Sequence, residues 1–105
     1  MPKLITRDGS QLTVQGDEVS VGRRDAGEST APDVDLSGLE RGRTVSRRHA
    51  RLLHREGHAY IEDLNAFNRT KVNGEELVPH QEVEIHSGDQ LRLGNVELRY
   101  EAHTY

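Results

Sequence analysis

The chain has 105 residues, 30% of them charged and 32% hydrophobic, with no cysteine and a formal net charge of −4. This length fits a single domain over residues 1–105 with a small core, and the absence of cysteine excludes disulfides, thiolate metal ligands and a cysteine nucleophile. The acidic balance argues against a general nucleic-acid binder, and the lack of a long apolar run or a signal-peptide pattern predicts a cytoplasmic protein without membrane contact.

The first third of the chain consists of short β-like runs separated by turn signals. KLIT and QLTV flank Asp8-Gly9, which predicts a β-hairpin, and EVSVGRR follows Gly16-Asp17 as a third strand. The polar stretch RDAGESTAP predicts a surface loop, and DVDL alternates as a short strand does. No long helical periodicity interrupts this pattern.

The remainder continues in the same way after the loop SGLERGR. HARLLH and HAYIEDL predict two strands around Glu56-Gly57, and TKV and EEL flank Asn73-Gly74, the strongest turn signal in the chain. EVEI, QLRLG and NVELRY predict three more strands. About ten short strands without a helix predict a β-sandwich or barrel, in which loops at one end carry function.

Cationic and hydroxyl side chains concentrate in two of these loops. Arg23 follows Gly22 at a strand end, and Ser46 precedes Arg47 in the segment TVSRRHARL. A serine hydroxyl can donate to an oxyanion, and the planar guanidinium of arginine can bind two phosphate oxygens. Because a phosphorylated side chain carries about −1.5 to −2 charge, two arginines would roughly neutralise it. The pattern therefore favours a phosphate group over a carboxylate.

By residue type alone, Ser46 and His49 suggest an enzyme in which the serine is the nucleophile and the histidine the base. On an extended chain, however, three residues span about 10 Å with the two side chains on opposite faces, whereas catalysis needs about 2.6–3.2 Å. No candidate acid or Gly-x-Ser-x-Gly turn accompanies them. We therefore expect no catalytic residue and interpret His49 as structural, its ring nitrogens holding loop backbone. The six histidines lack metal-ligand spacing, so we also expect no metal site.

The third loop with unusual chemistry is DLNAFNRTKVNG. Asn65 and Asn68 carry amides that can donate to and accept from a peptide main chain while the arginines hold its phosphate. Asparagines are also common turn formers, so a purely architectural role stays open for both.

Taken together, VSVGRR, DVDL, VSRRHARL, IEDLNAFNRTKVNG and SGDQLRLG follow the order and approximate spacing of a forkhead-associated (FHA) domain. The resemblance runs from about residue 18 to 100. It implies an all-β, eleven-stranded, two-sheet β-sandwich with little or no helix. It also implies that apical loops bind phosphothreonine in a partner protein, phosphorylated by a Ser/Thr kinase, without catalytic activity or a cofactor.

The resemblance assigns roles by motif position. Arg23, Ser46 and Arg47 match phosphate contacts, Asn68 matches the contact to the peptide backbone, and His49 matches a structural histidine that braces the loop. Residues that the resemblance gives an architectural role are Gly22, Asn65, Thr70 and the turn Asn73-Gly74.

Two positions depart from the family pattern. Arg69 stands where the family usually has glycine, and Phe67 stands where a serine or threonine commonly adds a polar contact. We expect both to influence selectivity. If Arg69 meets peptide residues after the phosphothreonine, charge complementarity predicts a preference for Asp or Glu a few positions C-terminal.

Two alternatives stay open. The same sandwich can serve as a phosphate-independent protein–protein interaction module, with Phe67 as an apolar contact to a folded partner. Nucleic-acid binding has the support of the five arginines between Arg41 and Arg51, against the acidic balance of the chain. We predict a protein partner and no nucleic-acid partner.

Overall fold

The structure, a computed structural model, describes residues 2–24 and 31–102. Eleven strands form two sheets, and the helical content of these ranges is one short 3-10 turn, η1 (Gly42–Thr44). The strands are β1 (Lys3–Thr6), β2 (Gln11–Thr13), β3 (Glu18–Gly22), β4 (Val34–Asp35), β5 (Ala50–Arg55), β6 (His58–Asp63), β7 (Thr70–Val72), β8 (Glu75–Glu76), β9 (Glu82–Ile85), β10 (Gln90–Leu93) and β11 (Val96–Glu101).

The two sheets are almost entirely antiparallel. The six-stranded sheet has the order β2-β1-β11-β10-β7-β8, and the five-stranded sheet has the order β4-β3-β5-β6-β9. Strands β3 and β4 form the parallel pair, with Val21 opposite Val34. The predicted eleven-stranded two-sheet sandwich is confirmed, with one strand more than the approximate count made from turn signals alone.

The predicted hairpins form where the turn residues require a left-handed backbone. Glu56 and Gly57 have φ of 51° and 80° between β5 and β6, and Asn73 and Gly74 have φ of 51° and 86° between β7 and β8. Two consecutive positive φ angles match the right-handed twist of the flanking strands, which explains why Asn-Gly is favoured there.

The core lies between the inner faces of the sheets. Alternate residues point inward, so Val19 and Val21 of β3 and Leu91 and Leu93 of β10 are buried in the same core cluster. Burying each such side chain stabilises the fold by about 1.5–3 kcal/mol. At one end of the core, the buried Tyr100 hydroxyl lies 2.9 Å from Nε2 of His54, linking the two sheets.

Of the two long loops predicted from the sequence, the structure describes only the second in full. Most of RDAGESTAP, residues 25–30, lies outside the described residues. The loop SGLERGR leads into η1, and Arg41 precedes this turn with a φ of 66°. Within residues 2–24 and 31–102, no helix has the length and apolar character needed to cross a membrane.

Candidate functional site

The end of β3 is fixed against the segment that contains Ser46. The backbone N–H of Arg23 donates to the Ser46 carbonyl at 3.2 Å, and Nε of Arg23 donates to the Val45 carbonyl at 2.8 Å. These two bonds orient the half-buried Arg23 side chain beside Ser46. The two residues therefore lie at the same end of the sandwich, as phosphate binding by both would require.

Gly22 is needed because two backbone segments approach each other closely. A Cβ atom at this position would lie 2.0 Å from the Arg47 carbonyl oxygen and 3.0 Å from that of Ser46. Real Cβ atoms do not approach backbone at such distances, so any side chain would push the 46–47 segment away from β3. Gly22 thus allows Arg23 and Arg47 to lie close together.

The Ser46 hydroxyl has a defined orientation. Its Oγ accepts a hydrogen bond from the backbone N–H of Phe67 at 3.2 Å. A hydroxyl has one hydrogen to donate and two lone pairs to accept, so this bond leaves the Ser46 hydrogen free to donate to an anion. Ser46 is half-buried, and the β6–β7 loop that supplies this N–H lies directly beside it.

His49 hydrogen-bonds the backbone of two loops from a fully buried position. Its Nδ1 accepts from the Ser46 N–H at 3.0 Å, and its Nε2 lies 2.8 Å from the Arg69 carbonyl, to which it donates. Burial lowers the pKa of His49, although the Arg69 carbonyl and the Asp63 carboxylate act in the opposite direction. The neutral ring with its hydrogen on Nε2 satisfies both contacts.

This geometry corrects one premise of the sequence analysis. Residues 46–49 form a turn rather than an extended chain, so Ser46 and His49 are neighbours and not about 10 Å apart. The contact is nevertheless made by the backbone N–H of Ser46, not by its hydroxyl. Both ring nitrogens of His49 are engaged with backbone, so the ring is not placed to deprotonate Ser46.

Asp63, which was not among the site residues predicted from the sequence, organises the β6–β7 loop. Its fully buried carboxylate accepts from the N–H groups of Asn65 at 3.0 Å and Ala66 at 3.3 Å, and from the Thr70 hydroxyl at 2.6 Å. The available signal was an aspartate two residues before an asparagine, which is typical of a side-chain-capped turn. Asp63 therefore fixes both ends of the loop that carries Phe67.

The Arg69 side chain lies against its own loop. Its backbone has a φ of 54°, the conformation for which the family usually provides glycine. Nη1 of Arg69 donates to Oδ1 of Asn65 at 2.8 Å and lies 3.8 Å from the Asp63 carboxylate. These contacts compensate for the left-handed backbone and direct the guanidinium towards residues of the loop itself.

Asn68 and Phe67 form the exposed tip of this loop. Nδ2 of Asn68 donates to the Thr44 carbonyl at 2.9 Å, and its Oδ1 has no partner among the described residues. The Phe67 ring is 92% exposed, although its backbone N–H is bound to Ser46. The amide oxygen of Asn68 can thus accept from the main chain of a ligand, and the ring of Phe67 can contact an apolar group.

A groove lies beside Arg23 and Arg47. It has a volume of about 750 Å³, and its lining residues are Ser20, Arg23, Ala31, Pro32, Arg47, Arg48 and Leu64. Among the described residues of this lining, three of the four polar ones are arginines. An anion is the ligand that such a groove would attract most strongly.

The structure brings the proposed contact residues to one end of the sandwich and places their supports beneath them. Arg23, Ser46, Arg47 and Asn68 face the surface, whereas His49 and Thr70 are fully buried. No group of three or more histidine, aspartate or glutamate residues suited to a metal ion occurs in the described ranges. The arrangement can donate hydrogen bonds to an anion and accept one from a peptide.

Comparison with known proteins yields one family and a consistent fold. The sequence model of the FHA domain matches residues 19–94. A structure solved for a study of phosphothreonine-dependent FHA domain interactions is 26% identical and has a TM-score of 0.78, covering 99% of this chain and 98% of that one. The FhaA FHA domain complexed with the intracellular domain of Rv3910 is 26% identical with a TM-score of 0.76, covering 96% and 100%.

One curated relative matches part of the chain. Protein FraH of Nostoc sp. (strain PCC 7120) is 40% identical over 68 residues, which are 64% of this chain and 23% of FraH. The match thus spans less than a quarter of that relative, and the activity of the whole of FraH does not transfer with it.

Proposed function

The chain belongs to the forkhead-associated (FHA) domain family, and from this premise we propose that it binds phosphothreonine-containing segments of partner proteins through the loops around Ser46. FHA domains are interaction modules rather than enzymes, and one structural neighbour of this chain comes from a study of phosphothreonine-dependent FHA domain interactions. In our proposal the partner is phosphorylated by a Ser/Thr kinase and is met in the cytoplasm.

The observation that carries the proposal is the orientation of the Ser46 hydroxyl. The Phe67 N–H occupies an acceptor site on Oγ, so the Ser46 hydrogen can donate to a phosphate oxygen. Arg23 and Arg47 line the adjoining groove and supply about the charge needed to balance a phosphate of −1.5 to −2. Each charge-assisted hydrogen bond contributes about 1.5–3 kcal/mol, less the loss of solvation and peptide freedom.

The peptide main chain would be held by Asn68. The amide nitrogen of Asn68 is used by Thr44, which fixes the side chain so that Oδ1 can accept from a peptide N–H. Since ordering an extended peptide opposes binding, we expect a dissociation constant on the order of 1 μM. The family resemblance further predicts threonine over serine, because the threonine methyl would fill a small apolar gap.

Titration of the chain with a phosphothreonine peptide, its unphosphorylated form and its phosphoserine form tests this proposal. We expect binding of the first, at least about 10-fold weaker binding of the third and none of the second. Ser46→Ala and Arg47→Ala should each weaken binding about 10-fold or more, since each removes a contact to the charged group. Arg99→Ala, which removes one charge from the outer face of the six-stranded sheet, is the control and should retain affinity.

The exposure of Phe67 favours one second candidate, a phosphate-independent interaction in which the ring packs against a folded partner. The two candidates respond differently to substitution. Arg47→Ala with unchanged partner binding, together with loss of that binding in Phe67→Ser, would favour the second candidate. Loss in Arg47→Ala, with dephosphorylation of the partner having the same effect, supports the first.

A further inference from the structure

The orientation of the Asn68 side chain depends on the carbonyl group of another loop. Nδ2 of this exposed residue donates to the Thr44 carbonyl at 2.9 Å. An exposed asparagine without such a contact samples several rotamers, and selecting one of them when the ligand arrives would oppose binding. The direction of the Thr44 carbonyl therefore decides where Oδ1 of Asn68 points before a peptide is bound.

The Thr44 hydroxyl joins two segments that are distant in sequence. Its Oγ1 donates to the Arg41 carbonyl at 2.7 Å, across η1, and accepts at 2.8 Å from the backbone N–H of Asn95, 51 residues further along the chain. The N–H of Thr44 also donates to the Arg41 carbonyl, at 3.0 Å. A hydroxyl that donates in one direction and accepts from another has a fixed rotamer, so Thr44 is held at three points.

The β10–β11 turn, residues 94–95, packs tightly against Thr44. A Cβ atom on Gly94 would lie 2.4 Å from the Thr44 carbonyl oxygen and 2.8 Å from its Oγ1, and the Gly94 φ of 61° also favours glycine. The N–H of Gly94 donates to the carbonyl of Arg69, the residue after Asn68, at 3.1 Å. The turn thus holds the backbone that follows Asn68 directly and the Asn68 side chain through Thr44.

The residue proposed to bind the phosphate is held by other bonds. The Ser46 N–H donates to Nδ1 of His49, and its Oγ accepts from the Phe67 N–H. These bonds do not involve Thr44. Removing the Thr44 hydroxyl should therefore affect the main-chain contact of the peptide and leave the phosphate contact in place.

We propose that Thr44 is a positioning residue for the peptide main chain: through its hydroxyl, the β10–β11 turn orients Asn68 so that Oδ1 accepts from a peptide N–H. This inference rests on the proposed function, since it assigns how Asn68 is prepared for the peptide. In this role Thr44 does not touch the peptide. Its hydroxyl contributes to affinity by fixing one main-chain hydrogen bond in advance.

Titration with phosphothreonine peptides of altered backbone tests this role. In each derivative one amide, at the phosphothreonine or up to three residues away, is replaced by an ester, which removes one N–H donor. The proteins are wild type, Asn68→Ala, Thr44→Val and Thr44→Ser. Ser87→Ala is the matched control: it removes a hydroxyl that accepts from the Ala102 N–H at 2.7 Å, beside the β5–β6 hairpin and away from the apical loops.

One ester should bind wild type about 5-fold more weakly than the parent and show no such penalty in Asn68→Ala, which identifies the N–H that Asn68 accepts. Thr44→Val should reduce this penalty to less than about 2-fold and keep phosphate-dependent binding. Thr44→Ser, which retains the hydroxyl, and Ser87→Ala should preserve the penalty. Its survival in Thr44→Val, or an equal loss in Ser87→Ala, would overturn the proposal.

The side-chain amide signals of Asn68 report the same positioning without a ligand. Heteronuclear NMR relaxation should show a rigid Nδ2 group on the ps–ns timescale in wild type and Thr44→Ser, and a mobile one in Thr44→Val. Thr44→Ala, which removes the hydroxyl without placing a methyl group against the Asn95 N–H, should give the same result as Thr44→Val. Equal mobility of Asn68 in wild type and both of these variants would overturn the role of Thr44.

The failures of the two proposals are distinguishable. Phosphate-dependent binding in which no ester penalty depends on Asn68, or in which Thr44→Val keeps that penalty, overturns the role of Thr44 and leaves phosphothreonine binding intact. Absence of any phosphate-dependent binding to wild type contradicts the proposed function and the role of Thr44 with it.

Discussion

Arginines of the sheet faces and arginines of the apical loops have different surroundings. On the outer face of the five-stranded sheet, Arg51 contacts Glu62 at 2.5 Å and Glu18 at 2.6 Å, and Arg55 pairs with Glu82. At the apical end, Arg43 and Arg48 have no carboxylate partner among the described residues. Arg51 and Arg55 thus neutralise carboxylates on the sheet face, whereas Arg43 and Arg48 leave positive charge exposed at the apical end.

This difference indicates which region of an acidic chain can bind anions. Pairing on the sheet faces uses carboxylates that would otherwise lower the potential around the apical end. Unpaired like charges repel each other and cost some stability, and an anionic ligand removes that repulsion when it binds. Paired arginines should therefore contribute to stability, and unpaired ones to affinity. Variants in which both the free energy of unfolding and the affinity are measured test this separation.

The largest expected effect is on the framework that brings the apical arginines together. Gly22→Ala places a Cβ 2.0 Å from the Arg47 carbonyl and should lower the free energy of unfolding by about 3 kcal/mol. Chemical denaturation measures this loss. Gly38→Ala is the matched control, because a Cβ there meets no atom within 4 Å, and it should change stability little. Equal effects of the two substitutions would contradict the close approach at Gly22.

Removing a paired arginine should come next. Arg51→Met keeps the aliphatic stem but leaves the nearly buried Glu62 carboxylate without its arginine partner, which should cost about 1–3 kcal/mol of unfolding free energy. The phosphopeptide affinity of the folded protein should not change. A clear loss of affinity with little loss of stability would break the distinction between the two regions.

A pH-dependent loss of stability should arise from the support beneath the site. Burial lowers the pKa of His49 in the folded state below its ordinary value of 6.5, so the unfolded chain takes up this proton more readily. The stability due to neutral His49 is present above that value and is lost as pH falls through it towards the folded-state pKa. Denaturation of wild type and His49→Gln at about pH 7.5 and about pH 5.5 checks this, with a smaller acid loss expected in the variant.

The smallest effect on stability should follow removal of an unpaired arginine. Arg43→Ala and Arg48→Ala should each change the free energy of unfolding by less than about 0.5 kcal/mol, because neither side chain has a partner among the described residues. Thermal denaturation at low and high salt measures this and should show any gain at low salt, where repulsion is least screened. Destabilisation comparable to that of Arg51→Met would contradict the comparison.

Turn residues and the alternation of apolar and polar residues made most of the fold predictable from the sequence. The pairs Glu56-Gly57 and Asn73-Gly74 marked two hairpins, because few residues adopt consecutive positive φ angles. The approximate bounds of the strands followed from local apolar patterns. The partners of each strand did not, since pairing of β1 with β11 joins residues at opposite ends of the chain.

The site was predictable in its residue types but not in its contacts. Arg23, Ser46, Arg47 and Asn68 were identified from local chemistry and family resemblance, and their binding roles stay predictions. Asp63 was missed because its effect depends on burial, which turns an ordinary surface residue type into the acceptor for a whole loop. The turn at 46–49 was also missed, because the residue types of an isolated segment do not distinguish a turn from an extended chain.

The sequence by itself determined the strands, the turns and the concentration of arginine in two loops, because these depend on neighbouring residues and their conformational preferences. Only the tertiary structure decided which charges are neutralised. Cross-strand pairing placed Glu62 beside Arg51, whereas Arg43 and Arg48 lie in apical loops without a carboxylate partner among the described residues. Electrostatic energy depends on distance through space and on burial, and neither can be read from positions along the chain.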